Sequence, residues 1–251
     1  MLIRSFFTVL AACCLVSEAR YQELNVTEVA LFETIKNHPS QRRTTMQLDP
    51  RLCAIARQHC QDMNDQGFFA HQNPKTEKNA NDRLKNIGYP APSYYGAGDN
   101  FIESLALDAP TNASIAATSW FHSGAHKTHV YGQKNPDGSE FFVNQILIGV
   151  AYVTKTDGNQ GYYAFISSHP PEGQSWKLNE DFEGPGLKKS GDSLVLTAIP
   201  AHAVFTVEES TGSSLQEWTV IGCCHADPII PPSLHFDPLM PRYYRIRWTD
   251  Y

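Results

Sequence analysis

The sequence lacks the signatures on which most hydrolytic and group-transfer chemistry rests. It holds no Gly-x-Ser-x-Gly nucleophile turn, no phosphate-cradling glycine loop and no paired-cysteine redox motif. Serine, thiol and phosphoryl-transfer chemistry are thereby disfavoured. Charge is scarce too, at 18% of residues, and no basic stripe offsets the net charge of −6. Lys188-Lys189 and the arginines between 242 and 247 are too sparse to make one, which argues against a nucleic-acid partner. The apolar run near the start is too short to cross a bilayer as a stable helix, so no transmembrane helix is expected. Repeats and low-complexity tracts are also missing.

What is present reads as a packed protein. A chain of 251 residues with 41% hydrophobic content supports one large domain, or one domain with an appendage. Residues 1–19 have the form of an export signal: Arg4 gives the positive start, 6–16 the apolar run, and Ser17-Glu18-Ala19 a small-x-small cleavage site. Secretion is the expected destination. The rival reading is Leu10-Ala11-Ala12-Cys13, a box that would lipid-anchor the chain at Cys13. Export also makes Cys53, Cys60, Cys223 and Cys224 disulfide candidates. Cys53 and Cys60 lie about two helical turns apart, roughly 10 Å, too far to bridge each other. One reading staples the tail to the helix through Cys53 or Cys60 and Cys223 or Cys224. The other leaves Cys60 a buried thiol and 223–224 an exposed or vicinal pair.

Along the chain, Thr27 opens an amphipathic helix that ends near Asn37-His38-Pro39. Asp49-Pro50 cap and start a second helix, whose stripe of Leu52, Ile55, Ala56, Cys60 and Met63 runs to Gly67. A third helix spans about 79–87 and stops at Gly88, and a fourth follows Pro110-Thr111. Residues 141–153 and 161–167 read as strands. Composition shifts at 169–173, and short β-like runs follow at 194–199, 203–208, 217–221 and 243–248. The expected organisation is therefore a signal (1–19), a main domain (20–171) and a β-rich C-terminal region (172–251).

Three polar islands interrupt the main domain: 68–74 with His71, 98–103 with Asp99 and Glu103, and 120–126 with His122 and His126. Imidazoles and carboxylates held together make a divalent-metal site or an acid–base pair. Taken singly, each has a plainer account. His71 suits the C-terminal end of the preceding helix, and Asp99 suits an N-cap. His122 and His126 are spaced i, i+4 and share a helix face only if the helix continues through Gly124; the Glu of a zincin helix is replaced by Ser123. Asp99 and Glu103 would share a helix face or flank a short bend.

In order, these blocks resemble the CAP superfamily of cysteine-rich secretory, antigen 5 and pathogenesis-related proteins, and its bacterial SCP-like branch in particular. The resemblance spans about residues 28–170. It rests on Leu48-Asp49-Pro50, Gly67-Phe68-Phe69-Ala70-His71, Asp82-Arg83-Leu84 with Gly88-Tyr89, Gly98-Asp99-Asn100-Phe101-Ile102, Trp120-x-x-Ser123-x-x-His126 and Ile148-Gly149-Val150-Ala151. It implies an α+β fold, a three-layer α-β-α sandwich around a central antiparallel sheet, here with a small β-rich C-terminal appendage. It also implies an open cleft in which His71 and His126 serve as metal ligands. Asp99 stands where the family usually has Glu, one methylene shorter, and Glu103 is the substitute carboxylate. Ser123 replaces the second acid of the eukaryotic branch, as in the bacterial branch, and leaves a sparse cage.

The expected function is that of a secreted, non-enzymatic binding module. Its cleft of His71, Asp99, Glu103 and His126 takes zinc or another divalent metal together with a small or lipid-like ligand. Two alternatives stand beside it. One is a metal-assisted hydrolase using the same cleft, and the other a structural or adhesion protein whose tail contacts a cell-envelope partner.

Overall fold

The computed structural model describes residues 21–170, 186–190, 193–197, 204–210, 218–225, 233–235 and 243–249. The export signal with Cys13, and the boundary at 171–173, lie outside the described residues. The first strand, β1 (Tyr21–Glu23), leads into helix α1 (Val26–Lys36). Asn25, not Thr27, caps α1, because Asn25 and Glu28 exchange side-chain and backbone hydrogen bonds in a capping box. After the two-residue strand β2 (Gln47–Leu48), α2 (Pro50–Gln66) starts on the Asp49 cap with Pro50 in its first turn. It ends where Gly67 turns left-handed at φ 69°. Helix α3 (Ala80–Asn86) has its own capping box from Asn79 and Asp82.

Strand β3 (Glu103–Asp108) begins where the sequence suggested a helix face or bend, and α4 (Ala113–His122) and α5 (Gly124–Val130) follow it. The strand expected over 141–153 starts only at Leu147, because Asn144 N–H bonds Glu140 O and folds the preceding residues into turns. Strands β4 (Leu147–Thr154) and β5 (Gly161–Ser168) complete a sheet of order β2-β4-β5-β3. Its three main strands are antiparallel; the short edge strand β2 runs parallel to β4.

This sheet is buried on both faces, and the period-2 alternation sorts its side chains into two cores. Ile148, Val150, Tyr152, Tyr163 and Phe165 join Phe32, Trp120 and Tyr131 on the α1/α4 side. Leu147, Ala151, Tyr162, Ala164 and Ile166 join Leu52, Ala56, Cys60 and Met63 on the α2 side. Helix, sheet and helix thus form three layers of an α+β fold. Trp120 Nε1–H closes the first core by donating to Leu105 O at 2.9 Å.

The tail adds β6 (Gly186–Ser190), β7 (Ser193–Thr197), β8 (Val204–Ser210), β9 (Thr219–His225), β10 (Ser233–His235) and β11 (Tyr243–Thr249). They build one sheet of order β10-β7-β6 and another of order β1-β9-β8-β11. The second sheet recruits β1 from the chain's beginning, with Gln22 opposite Cys223. It also packs on the main domain: Gln47 Nε2 donates to Thr206 Oγ1 at 2.5 Å, and Val220 and Cys223 enter the α1-side core. Among the described residues no helix is long and apolar enough to cross a membrane.

Gly149 sets how closely α2 lies on the sheet. A Cβ placed there would come within 2.6 Å of both the Leu52 Cβ and the Leu52 carbonyl oxygen. Backbone cannot rotate away as a side-chain tip can, so Gly149→Ala is expected to cost about 1–3 kcal/mol by overpacking. A urea titration that left its midpoint unchanged would show that α2 has room to shift.

Candidate functional site

The candidate site draws on the exit of α2, the middle of α3, the first residue of β3 and the first turn of α5. Gly67 redirects the chain after α2, and the loop that follows is pinned by Asn73, whose Oδ1 accepts from Lys75 N–H at 2.9 Å and Thr76 N–H at 3.2 Å. His71 sits on this loop. At the sheet edge, Asn100 and Glu103 hold one another: Glu103 N–H donates to Asn100 Oδ1 at 3.0 Å, and Asn100 Nδ2 donates to Glu103 O at 3.1 Å. That reciprocal pair fixes where β3 begins and aims the Glu103 side chain inward.

Glu103 is fully buried and has two partners. Its Oε2 lies 2.9 Å from His71 Nδ1, and its Oε1 pairs with Arg83 Nη2 from α3. Arg83 Nη1 also donates to the backbone carbonyl of His71 at 2.8 Å, so one guanidinium clamps acid and histidine loop together. Burial alone would raise the Glu103 carboxyl. The hydrogen bond from His71 and the positive charge of Arg83 outweigh it and hold the group below its ordinary value. An ionised carboxylate only accepts, so His71 Nδ1 carries a proton, and in the neutral ring it is Nε2 that holds the lone pair. His71 remains 40% exposed, which leaves that lone pair accessible to a ligand.

A second imidazole backs the pair. His59 is fully buried on α2, with Nε2 2.9 Å from Ala70 O and 4.0 Å from Glu103 Oε2. A carbonyl accepts, so Nε2 is its protonated nitrogen, and Nδ1 faces the interior with no hydrogen-bond partner among the described residues. Burial lowers the His59 pKa and keeps the ring neutral. The apolar stripe of α2 carried the signal for it, since position 59 falls between Ile55, Ala56 and Met63 on the same face, yet the sequence reading passed over it.

His126 lies in α5, half-buried; burial lowers its pKa first, and the neighbouring His71 lowers it further. His71, Glu103 and His126 therefore share one region of the molecule. Asp99 does not join them. It is exposed, and its carboxylate folds back against Gly96. Nor does His122: the helix breaks at Ser123 (φ −96°, ψ 118°), so His122 ends α4 in solvent while His126 belongs to α5. The shared helix face considered for these two histidines is not formed. His129, three residues on, points into the core, where Nδ1 meets Ser104 Oγ at 2.7 Å and Nε2 meets Ser167 Oγ at 2.8 Å.

The C-terminal end of α5 is held by Arg43, a buried cation whose donors serve carbonyls: Val130 O at 2.8 Å, His129 O at 2.6 Å and Gln145 O at 2.7 Å. Burial lowers its pKa to about 9, so the charge persists at neutral pH. It satisfies α5 carbonyls that the helix itself leaves open, and it complements the negative end of the helix dipole.

Among the described residues no three His, Cys, Asp or Glu side chains converge as a metal cage. The donors suited to a cation are the imidazoles of His71 and His126. His71 donates its other nitrogen to a carboxylate, the arrangement in which histidine commonly serves a metal. Such a site is open, with most of its coordination left to water or ligand.

No family model matches this chain, and no curated protein matches it. Two solved structures do. An outer surface protein of Borrelia burgdorferi is similar at TM-score 0.40 and 12% identity, covering 59% of this chain and 98% of that one. An extracellular protein containing an SCP domain, from Bacillus anthracis str. Ames, is similar at TM-score 0.38 and 16% identity; the match covers 56% of this chain and 40% of that one.

Proposed function

We propose that this is an exported, CAP-type binding module whose cleft presents His71 and His126 to a divalent metal such as zinc, alongside a small or lipid-like ligand. The observation that carries the reading is the Arg83–Glu103–His71 relay, with Glu103 Oε2 2.9 Å from His71 Nδ1. It places a proton on His71 Nδ1 and orients a ring that stays 40% exposed. Glu103 is committed to two cationic or donating partners and held below its usual pKa, which suits an orienting group better than a general base. The ordered sequence motifs supply the family reading. Exposed Phe69 and Phe101, each two residues from His71 and Glu103, supply apolar surface for the organic part of a ligand.

Calorimetric titration with zinc tests the metal. Wild type is expected to bind; His71→Ala and His126→Ala are each expected to abolish binding, and Glu103→Gln to weaken it about 10–100-fold by releasing the His71 ring. Equal titrations for wild type and the two alanine variants would remove the metal from the function.

A further inference from the structure

We infer that Cys53 and Cys223 form a disulfide that bolts the C-terminal sheet to helix α2, with Cys60 left out of the bridge. The Cys53 and Cys223 sulfurs lie 4.0 Å apart, fully buried, joining positions 170 residues apart in the chain. A disulfide needs about 2 Å between sulfurs and roughly 4 Å between Cβ atoms, so small side-chain rotations close the bond.

The backbone around the pair is already fixed from both sides. Cys223 stands in β9, paired to Gln22 of β1 and to Thr206 of β8. Leu24 N–H bonds Ile221 O at 3.2 Å, and Arg57, one turn along α2 from Cys53, donates to Glu23 O at 3.0 Å. Cys60 packs in the other core, among Leu52, Met63 and Leu84, away from β9. The inference is independent of the cleft and of what the cleft binds.

The oxidant is a small-molecule or protein disulfide of an oxidising compartment. One cysteine thiolate attacks it, expels one of its sulfurs as a thiolate and leaves a mixed disulfide on the protein. The second cysteine thiolate attacks that protein sulfur, forms the Cys53–Cys223 bond and expels the other half. Two protein thiols are oxidised and one external disulfide is reduced to two thiols, with the protons passing to the leaving groups. Because both sulfurs are inaccessible in the docked state, the exchange belongs to folding, before β9 closes on α2. Native reduced protein should then oxidise only as fast as the tail opens.

The test refolds the full chain in a glutathione redox buffer, blocks remaining thiols under denaturing conditions and digests without reduction. A peptide containing Cys53 linked to the peptide bearing 223–224 is expected, with fragmentation placing the bond at Cys223. The link should vanish in Cys53→Ser and Cys223→Ser and persist in Cys60→Ser and Cys224→Ser. Reductant should lower the Tm of the oxidised protein by roughly 10 °C, given the long loop closed. A bond through Cys60 or Cys224, or complete thiol blocking after oxidative refolding, overturns the inference. The wild-type digest decides even where a serine variant fails to fold.

Discussion

Glu103→Ala is expected to destabilise the protein by about 3–5 kcal/mol, the cost of breaking a buried ion pair by removing one partner. Arg83 is only 10% exposed and Glu103 not at all, so the guanidinium left behind is poorly solvated. Its Nη1 bonds to His71 O and Lys78 O survive, but its Nε already has no partner among the described residues, and Nη2 would join it. His71 loses its acceptor at the same time. Glu103→Gln keeps the shape and one hydrogen bond and should cost less. Replacing the pair together, by Arg83→Met with Glu103→Leu, should recover much of the loss, because neither charge is then stranded. Urea unfolding in the presence of chelator isolates this term from any metal effect. A loss below about 1 kcal/mol for Glu103→Ala would mean that the pair behaves like a solvated surface bridge.

The same residue shows where sequence reading reaches and where it stops. Helix α2 was legible from end to end because its signals are local: a capping Asp49, Pro50 in the first turn, an apolar stripe and a terminal Gly67. The central strands were legible from their apolar runs. Strand β3 was not, since the turn-forming Gly98-Asp99-Asn100 precedes it and a strand with its first four residues buried shows no alternation. Glu103 was legible as the substitute carboxylate, but its place at the start of a strand and its clamp to Arg83 emerge only from the fold, while Asp99, which holds the expected position in the motif order, is solvent-facing.

His71 and His126 were singled out by motif order, and their proximity became visible only in three dimensions. Whether His122 stands with His126 depended on the backbone at Ser123, where a change of ψ by about half a turn separates two helices. Cys53 could be placed on its helix, yet its neighbour lies 170 residues away, beyond any local pattern.

Acidification provides the second large effect. Both His129 and His169 titrate below the ordinary histidine range. His129 is driven down by complete burial and then by the Arg43 charge; His169 falls to about 4, chiefly through burial. The unfolded chain protonates both near pH 6.5, while the folded chain does not, so below that pH the unfolded state binds more protons. Stability should therefore be flat above about pH 7 and fall as pH drops through 6.5. His129 alone contributes a slope of about 1.4 kcal/mol per pH unit, and partly buried His169 a fraction of that. From pH 6.5 to pH 5 the loss from these two groups should total about 2–2.5 kcal/mol. The His169 contribution levels off near pH 4, and below about 4.5 the depressed carboxyl of Glu103 adds its own loss as it takes up a proton. Chemical denaturation at half-unit pH steps measures this curve directly. His129→Gln should shallow the slope between pH 6 and 5 by about one proton, whatever its effect on the plateau, since glutamine can still bond Ser104 or Ser167 but cannot titrate. A wild-type stability independent of pH from 7 to 5 would mean that His129 takes up its proton in place, and that the Ser104–His129–Ser167 chain opens to water without unfolding.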